Sequence, residues 1–506
     1  MVYTFTSVPP VQTQTQFNAD RQAIADAINA ITSTGIGAGP YSFLVRKSGA
    51  VYEAYNSQAA LVYGGSGNAG GVDGADNNAV IQAALDNLTV GARTHKAKLV
   101  LNGDLGEVHD LQVSSFTSIE GADAKLTVPA NEDFIFKDKN AGTTDVKING
   151  IRFEAITAGR SAEPIAIDLS LNGQANDVKI QNCGFENFIY TAGTPSGIRG
   201  NYKNLDVSHN KFESLSGTGN SYQTYLTTGC DDVRIHNNRY YTTFAGNCIF
   251  GEGAYTQIYG NHFEAAAGAD GLDLGAVDHI EGDFFEVHNN TFIRFPAVGV
   301  LIGGNNLGGI LKYVDIHNNL FYRCGYGTFA GKIGAVGTGG VFACTRVKIE
   351  HNIMDDCASG IGHVGSSGNN IANVVELSNN WVEYCVYPIA MYGNNFNVRM
   401  VENIFRNNTN PAFVQTGTLW AKLNEGYVTE NGGTGSIASG TTADVIAHGC
   451  SYTPVLADII ITLGENPTNT PGAIWVDTIG AANFTVNCEN DPGASNLDFS
   501  WAIRKV

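Results

Sequence analysis

Basic residues are scarce in this 506-residue chain: 29 Lys and Arg stand against 48 Asp and Glu, for a net charge of −19. The cations form no runs, so the basic footprint of a nucleic-acid binder is missing. The same imbalance repels an anionic membrane surface. No apolar run approaches the ~20 residues that span a bilayer, and no membrane insertion is expected. The opening stretch, MVYTFTSVPPVQTQTQF, has neither the charged nor the apolar region of a signal peptide, so no leader is expected. Cys-x-x-Cys spacing is absent among the nine cysteines, which argues against a zinc site. Proline is sparse at 13 while glycine reaches 61, a combination that excludes collagen. With 43 % hydrophobic, 10 % aromatic and 15 % charged residues, disorder is excluded as well. Heavy Gly and Asn use points to turn-rich β structure.

What is present, above all, is a repeat. DVKINGIRFEA (145–155), DVKIQNCGFEN (177–187), NLDVSHNKFES (204–214) and DVRIHNNRYYT (232–242) share one pattern, continued by FEVHNNTFIRF (285–295), YVDIHNNLFYR (313–323) and RVKIEHNIMDD (346–356). The apolar residue before the Asn recurs every 23 to 33 residues, from Ile148 to Val401. Each unit alternates apolar and polar residues, turns at Asn, and resumes as a short apolar strand. Units of this length with three short strands make one coil of a parallel β-helix. Neighbouring coils lie about 4.8 Å apart, so equivalent residues stack. Asn182, Asn210, Asn238, Asn290, Asn319, Asn352 and Asn380 are expected to form one ladder. His209, His236, His288, His317 and His351 are expected as a column of surface rungs beside it, and Cys324, Cys357 and Cys385 as stacked core thiols.

These segments, over about residues 75–420, resemble the pectin-lyase-like right-handed parallel β-helices. Residues 76–88, DNNAVIQAALDNL, are similar to the helix that caps the first coil in that superfamily, with Ala79, Ile81, Ala84, Leu85 and Leu88 on one face. The resemblance implies an all-β chain: ten or more coils over 75–425, a small N-terminal unit over 1–74 and a C-terminal β-sandwich over 426–506. Residues 17–32 read as a short amphipathic helix and 41–65 as a small antiparallel unit with a Lys-Ser-Gly turn. A helical leader ahead of a β-helix resembles the attachment end of virus tailspikes. The last segment, with ADVIAH, ADIIITLG, AIWVDTI, NFTVNC and DFSWAIR, is similar to terminal modules of viral fibres. Either glycan binding or trimer closure suits it. Trp475 and Trp501 are candidate sugar platforms or core residues, and Cys450 and Cys488 are candidates to pair.

The remaining strand of each coil carries the candidate chemistry. Its inward column is expected to be Ile167, Ile198, Leu226, Ile249, Leu272 and Val300, ending with Val341, Ile361, Ile389 and Phe413. The outward column follows one residue later, through Asp168, Arg199, Thr227, Phe250, Asp273 and Leu301 to Phe342, Gly362, Ala390 and Val414. Glu252 and Asp273 then lie on adjacent coils with a two-residue offset, about 7–8 Å apart. Carboxyls ~6.5–9.5 Å apart suit inverting glycoside hydrolysis, one protonating the leaving oxygen and one activating water. Asp270 adds a third acid, and phage tailspike endoglycosidases have a similar trio. Arg199, Tyr225, Tyr255, Asp168, Asp278 and His279 are candidate substrate contacts, since exposed Tyr stacks on sugars.

Two alternatives stay open. A lyase or C5-epimerase acting on uronates would cast Arg199, His279, Tyr255 and Lys332 as base and cation. A non-catalytic adhesin would use the same acids to line a groove. The partner in every case is a polysaccharide. The resemblance implies a homotrimer, virion attachment through the N-terminus, and an extracellular or virion-surface location. No organic cofactor and no metal is implied.

Overall fold

The computed structural model describes residues 43–504 apart from 58, 89–96, 192, 215–219, 244, 267–273, 282, 303–309, 326–335, 339–342, 364–370, 393–396, 411–412, 416–417 and 465–466. The chain is a right-handed parallel β-helix followed by antiparallel strands. It divides into two compact units, Met1–Gly253 and Ala254–Val506.

The first unit opens with β1 (Phe43–Ser48), β2 (Val51–Asn56) and β3 (Leu61–Gly64), paired antiparallel. The β1–β2 turn passes through Gly49 at φ +65°, a conformation glycine adopts freely. β1 also pairs in parallel with β4 (Ala97–Glu107), so this unit is hydrogen-bonded into the coil sheet. Helix α1 (Asn77–Leu88) starts at Asp76, whose carboxylate accepts the Ala79 N–H at 2.9 Å. It buries Val80, Ile81, Ala84, Leu85 and Leu88. Val80 takes the place expected for Ala79, which is partly exposed. The helix expected over 17–32 lies outside the described residues.

Each coil contributes to three faces. On the first, Val178 pairs with Leu205 and Ile180 with Val207. On the second, Phe185 pairs with Phe212 and Phe212 with Tyr240. On the third, Phe136 pairs with Ile167 and Ile167 with Ile198. Alternation sends these residues inward. Phe153, Phe185, Phe212 and Tyr240 stack nearly parallel at 4.6–5.1 Å between ring centres. Each buried aromatic is worth roughly 1.5–3 kcal/mol of apolar transfer, and each ring pair about 0.5–1.5 kcal/mol more.

The Asn turn holds two columns where one was expected. Asn182, His209 and Asn237 take a left-handed turn conformation, φ +54 to +58°. Asn, Asp and His tolerate it best after Gly. The ladder proper is the next residue: Asn210 donates its N–H and its amide to Asn238 Oδ1 at 2.8 and 3.0 Å. Asn182 is therefore outside the ladder, and Cys183 occupies that position, giving its N–H to Asn210 Oδ1. In the second unit the ladder runs Asn261, Asn290, Asn319, Asn352, Asn380, Asn403 and Asn424, at 2.8–3.1 Å per step. His351 is likewise a turn residue at φ +54°, while His288 and His317 end their strands, one residue earlier in the motif.

Cys324, Cys357 and Cys385 stack in the second unit's core, the Cys324 N–H reaching Cys357 Sγ at 3.4 Å. At the C-terminus, strands 430–437, 459–463 and 497–504 form one antiparallel sheet, and 443–447, 474–477 and 483–488 another. Ile437, Phe484, Val486, Leu497, Phe499 and Ile503 fill the core between them. The two tryptophans separate: Trp501 is buried edge-on to Phe484 at 5.6 Å, and Trp475 is 45 % exposed. Cys450 and Cys488 do not pair; both are free thiols, bonded to the carbonyls of His448 and Thr442.

Candidate functional site

The third face of the first unit carries a polar and aromatic column. Lys137 pairs with Asp168, and Arg199 pairs with Tyr225. Arg199 is 20 % exposed and donates to Asp168 Oδ2 at 3.1 Å and to Glu163 Oε1 at 3.2 Å. Both acids are anchored elsewhere too. Glu163 Oε1 accepts the Thr194 N–H and hydroxyl, and Asp168 Oδ1 accepts the Ser170 N–H and hydroxyl. The guanidinium also lies over the Phe134 ring at 5.6 Å. Tyr225 stacks on Phe250 at 4.7 Å, with Tyr222 edge-on to both. The result is a fixed cation beside a three-ring platform.

Register here differs from expectation. Ile198 pairs with Thr224, so Tyr225, not Thr227, follows Arg199 outward. The buried Thr224 hydroxyl lies 3.3 Å from the Tyr240 hydroxyl, and this polar residue facing inward obscures the apolar pattern. Val277, not Leu272, pairs with Val300. The strand continues past a bulge to Ile280 opposite Ile302, which places the Asp278–His279 backbone at the irregularity. Val336 and Gly337, rather than Val341 and Phe342, follow Val300 and Leu301. Phe413 pairs with Ala390, one residue from its expected place beside Ile389.

The expected site residues are distributed as follows. Asp168, Arg199 and Tyr225 form one column. Asp270 and Asp273 lie outside the described residues. Glu252 falls in strand Ala245–Tyr259, two residues after Phe250, and Asp278 and His279 fall in strand Leu274–Glu281. The described side chains do not include those of Glu252, Asp278 and His279. Tyr255 belongs to the second unit, is 58 % exposed, and stacks on Phe284, which stacks on Tyr313.

Other groups were not singled out from the sequence. Asp138, buried one coil before Asp168, has its carboxyl pushed up chiefly by burial, opposed by hydrogen bonds from Asn172, with the Asp168 charge adding to the rise. Its Oδ1 has no partner among the described residues. In the second unit, Glu286 Oε1 meets His317 Nε2 at 3.0 Å, and the His288 and His317 rings stack at 4.9 Å. Burial pushes Glu286 up, but hydrogen bonds from His317 and Gln257 outweigh it and hold the carboxylate low. On the next coil, burial pushes Asp315 up. Period-2 alternation places Glu286 and Asp315 outward and Asp138 on the inner side with Phe136, but nothing in the sequence reports how deeply each is buried.

No family model matches the chain, and no curated protein matches it. Solved structures do. A mutant tailspike protein of E. coli bacteriophage HK620 matches at 10 % identity over 97 % of this chain and 100 % of that one, with TM-score 0.53. The tailspike of Pseudomonas phage phi297 matches at 9 % identity over 84 % and 92 %, TM-score 0.44. An exopolygalacturonase from Thermotoga maritima matches at 11 % identity over 68 % and 87 %, TM-score 0.41. At these identities the likeness is one of fold: the chain shares the right-handed parallel β-helix with phage tailspikes.

Proposed function

We propose that this chain binds a polysaccharide on the third face of its coils and hydrolyses it internally, as a tailspike-like glycoside hydrolase. The observation that carries the reading is the Arg199–Tyr225–Phe250 column with Tyr222 beside it. Aromatic rings offer apolar faces to sugar C–H groups, and a guanidinium fixed by two carboxylates donates to hydroxyls without reorganising. Glu252, two residues beyond Phe250 in the same strand, supplies one carboxyl of the reacting pair. Asp273, with Asp270, supplies the other. Asp168, Asp278, His279 and Tyr255 extend the contacts. The engagement of Arg199 with Asp168 and Glu163 speaks against its serving as a lyase's uncompensated cation. In this reading residues 1–74 attach the protein to a virion, 75–425 cut the glycan and 426–506 close a homotrimer.

Mass spectrometry of products from a panel of neutral and acidic polysaccharides tests it. One water gained per cleavage is expected, and Glu252→Gln or Asp273→Asn should abolish turnover while leaving glycan binding within a few-fold. Unsaturated products would sink the hydrolase reading. Unchanged turnover in both variants would sink this carboxyl pair.

A further inference from the structure

Outside that column, the first unit brings together His109, Asp110 and Glu132, whose ligand atoms all lie within 4.8 Å of one another. His109 Nδ1 is 4.0 Å from Asp110 Oδ2 and 3.7 Å from Glu132 Oε2. That nitrogen is buried and has no hydrogen-bond partner among the described residues. Both separations are too long for hydrogen bonds and suit three ligands around one ion. The in-plane centre of three atoms separated by 3.7, 4.0 and at most 4.8 Å lies about 2.1–2.5 Å from each. Zinc takes His nitrogen and carboxylate oxygen at ~2.0–2.2 Å, at the near edge of that span.

The surroundings fix the three groups. Lys137 takes the other Asp110 oxygen, Oδ1, at 2.7 Å, leaving Oδ2 toward His109. Asn131 reaches the other Glu132 oxygen at 3.5 Å. The His109 backbone N–H is held by Asn78 Oδ1 of helix α1 at 3.0 Å, and the Glu132 carbonyl by Arg160 at 3.3 Å. Arg160 also donates to the carbonyls of Val128, Ile156 and Ala162, locking the loop that carries Glu132. Two carboxylates and one ammonium leave one negative charge facing His109 Nδ1.

We propose that His109, Asp110 and Glu132 bind one divalent first-row transition ion of the zinc class. One imidazole with two carboxylates favours such an ion over calcium or magnesium, which prefer all-oxygen shells. The ion ties the coil carrying His109 and Asp110 to the next, which carries Glu132, beside the helix that covers them. Cys-x-x-Cys spacing, the usual zinc signal in a sequence, plays no part in it.

Titration calorimetry of the chelator-treated full chain with zinc chloride, in high salt to suppress diffuse binding to a −19 protein, tests the proposal. One equivalent is expected to bind, with a rise in melting temperature. His109→Gln and Glu132→Gln should each weaken binding by tenfold or more, while His351→Gln, at an exposed turn, should not. Melting curves without metal identify any variant that fails to fold. Cobalt substitution then serves as the second measurement on the wild-type chain. Weak d–d bands without a thiolate charge-transfer band are expected; a thiolate band would place the ion on cysteines and overturn the site. Absence of stoichiometric uptake, or equal uptake by folded His109→Gln and wild type, would also overturn it.

Discussion

At the scale of single residues, the ladder asparagines carry more than their size suggests. Asn319 is buried, accepts the Asn290 N–H, and donates to Asn352 Oδ1 and the Val287 carbonyl. Asn319→Ala leaves those backbone groups without partners, each worth about 1–3 kcal/mol when buried. A loss of roughly 2–4 kcal/mol in urea unfolding is expected on that basis; below ~1 kcal/mol, solvent must reach the turn. Arg199→Ala should cost about 1–3 kcal/mol, because Asp168, only 3 % exposed, loses the cation that pairs with it. Tyr225→Ala should weaken glycan binding about threefold to tenfold in direct titration while the fold persists. The Asn-turn motif was legible in the sequence, but its phase was not. In an Asn-Asn or His-Asn doublet either residue can be polar and turn-forming, and only backbone φ separates Asn182 from Asn210.

Among whole strands, the first two faces were legible and the third was not. Val178, Leu205, Phe185 and Phe212 sit beside the Asn turn, which marks register coil after coil. The third-face strands follow loops of varying length and bear no marker. Inward Thr224 and the bulge before Ile280 therefore moved the alignment by two residues in one coil and five in another. Where paired carboxylates sit depends on that register; the described strands bring Asp168, Arg199 and Tyr225 into one column, while Asp270 and Asp273 lie outside the described residues. The same strands make a pH prediction. Burial lowers the His288 pKa from 6.5, partly offset by Glu286. The unfolded chain therefore takes the proton first, and stability present above the ordinary histidine range falls as pH drops through it. Glu286 and Glu350 are held below 4.5 against burial by His317 and Lys348 respectively, so a second loss begins as pH falls into the ordinary carboxylate range and continues below it. Asp315, raised by burial, acts oppositely and softens that second loss. Calorimetry should show the melting temperature falling between about pH 7 and 5.5, with a smaller fall in His288→Asn.

For the molecule as a whole, the repeat alone was specific for fold. Reaction type was not legible, because one coil geometry supports unrelated chemistries. The proposed trimer bears on the exposed side chains of the C-terminal segment. Val445, Ile460, Leu463 and Trp475 of the C-terminal sheets, with Val455 and Leu456 just before strand 459–463, are 45–61 % exposed. Exposed apolar groups in such number suit the proposed trimer closure. Sedimentation should give a trimer for the full chain and a monomer for Ile460→Asp with Val445→Asp; a monomeric wild type would remove the trimer from the proposal.

The asparagine ladder has one more consequence, for how such a chain changes length. Asn352 and Asn380 are 28 residues apart and each offers its neighbours the same donor and acceptor. Removing residues 352–379 would set Asn380 opposite Asn319, rejoining the ladder with every bond remade. Loss of part of a coil would strand a row of backbone groups instead. The ladder thus tolerates the gain or loss of a complete turn, while length changes within a turn are confined to the loops between strands.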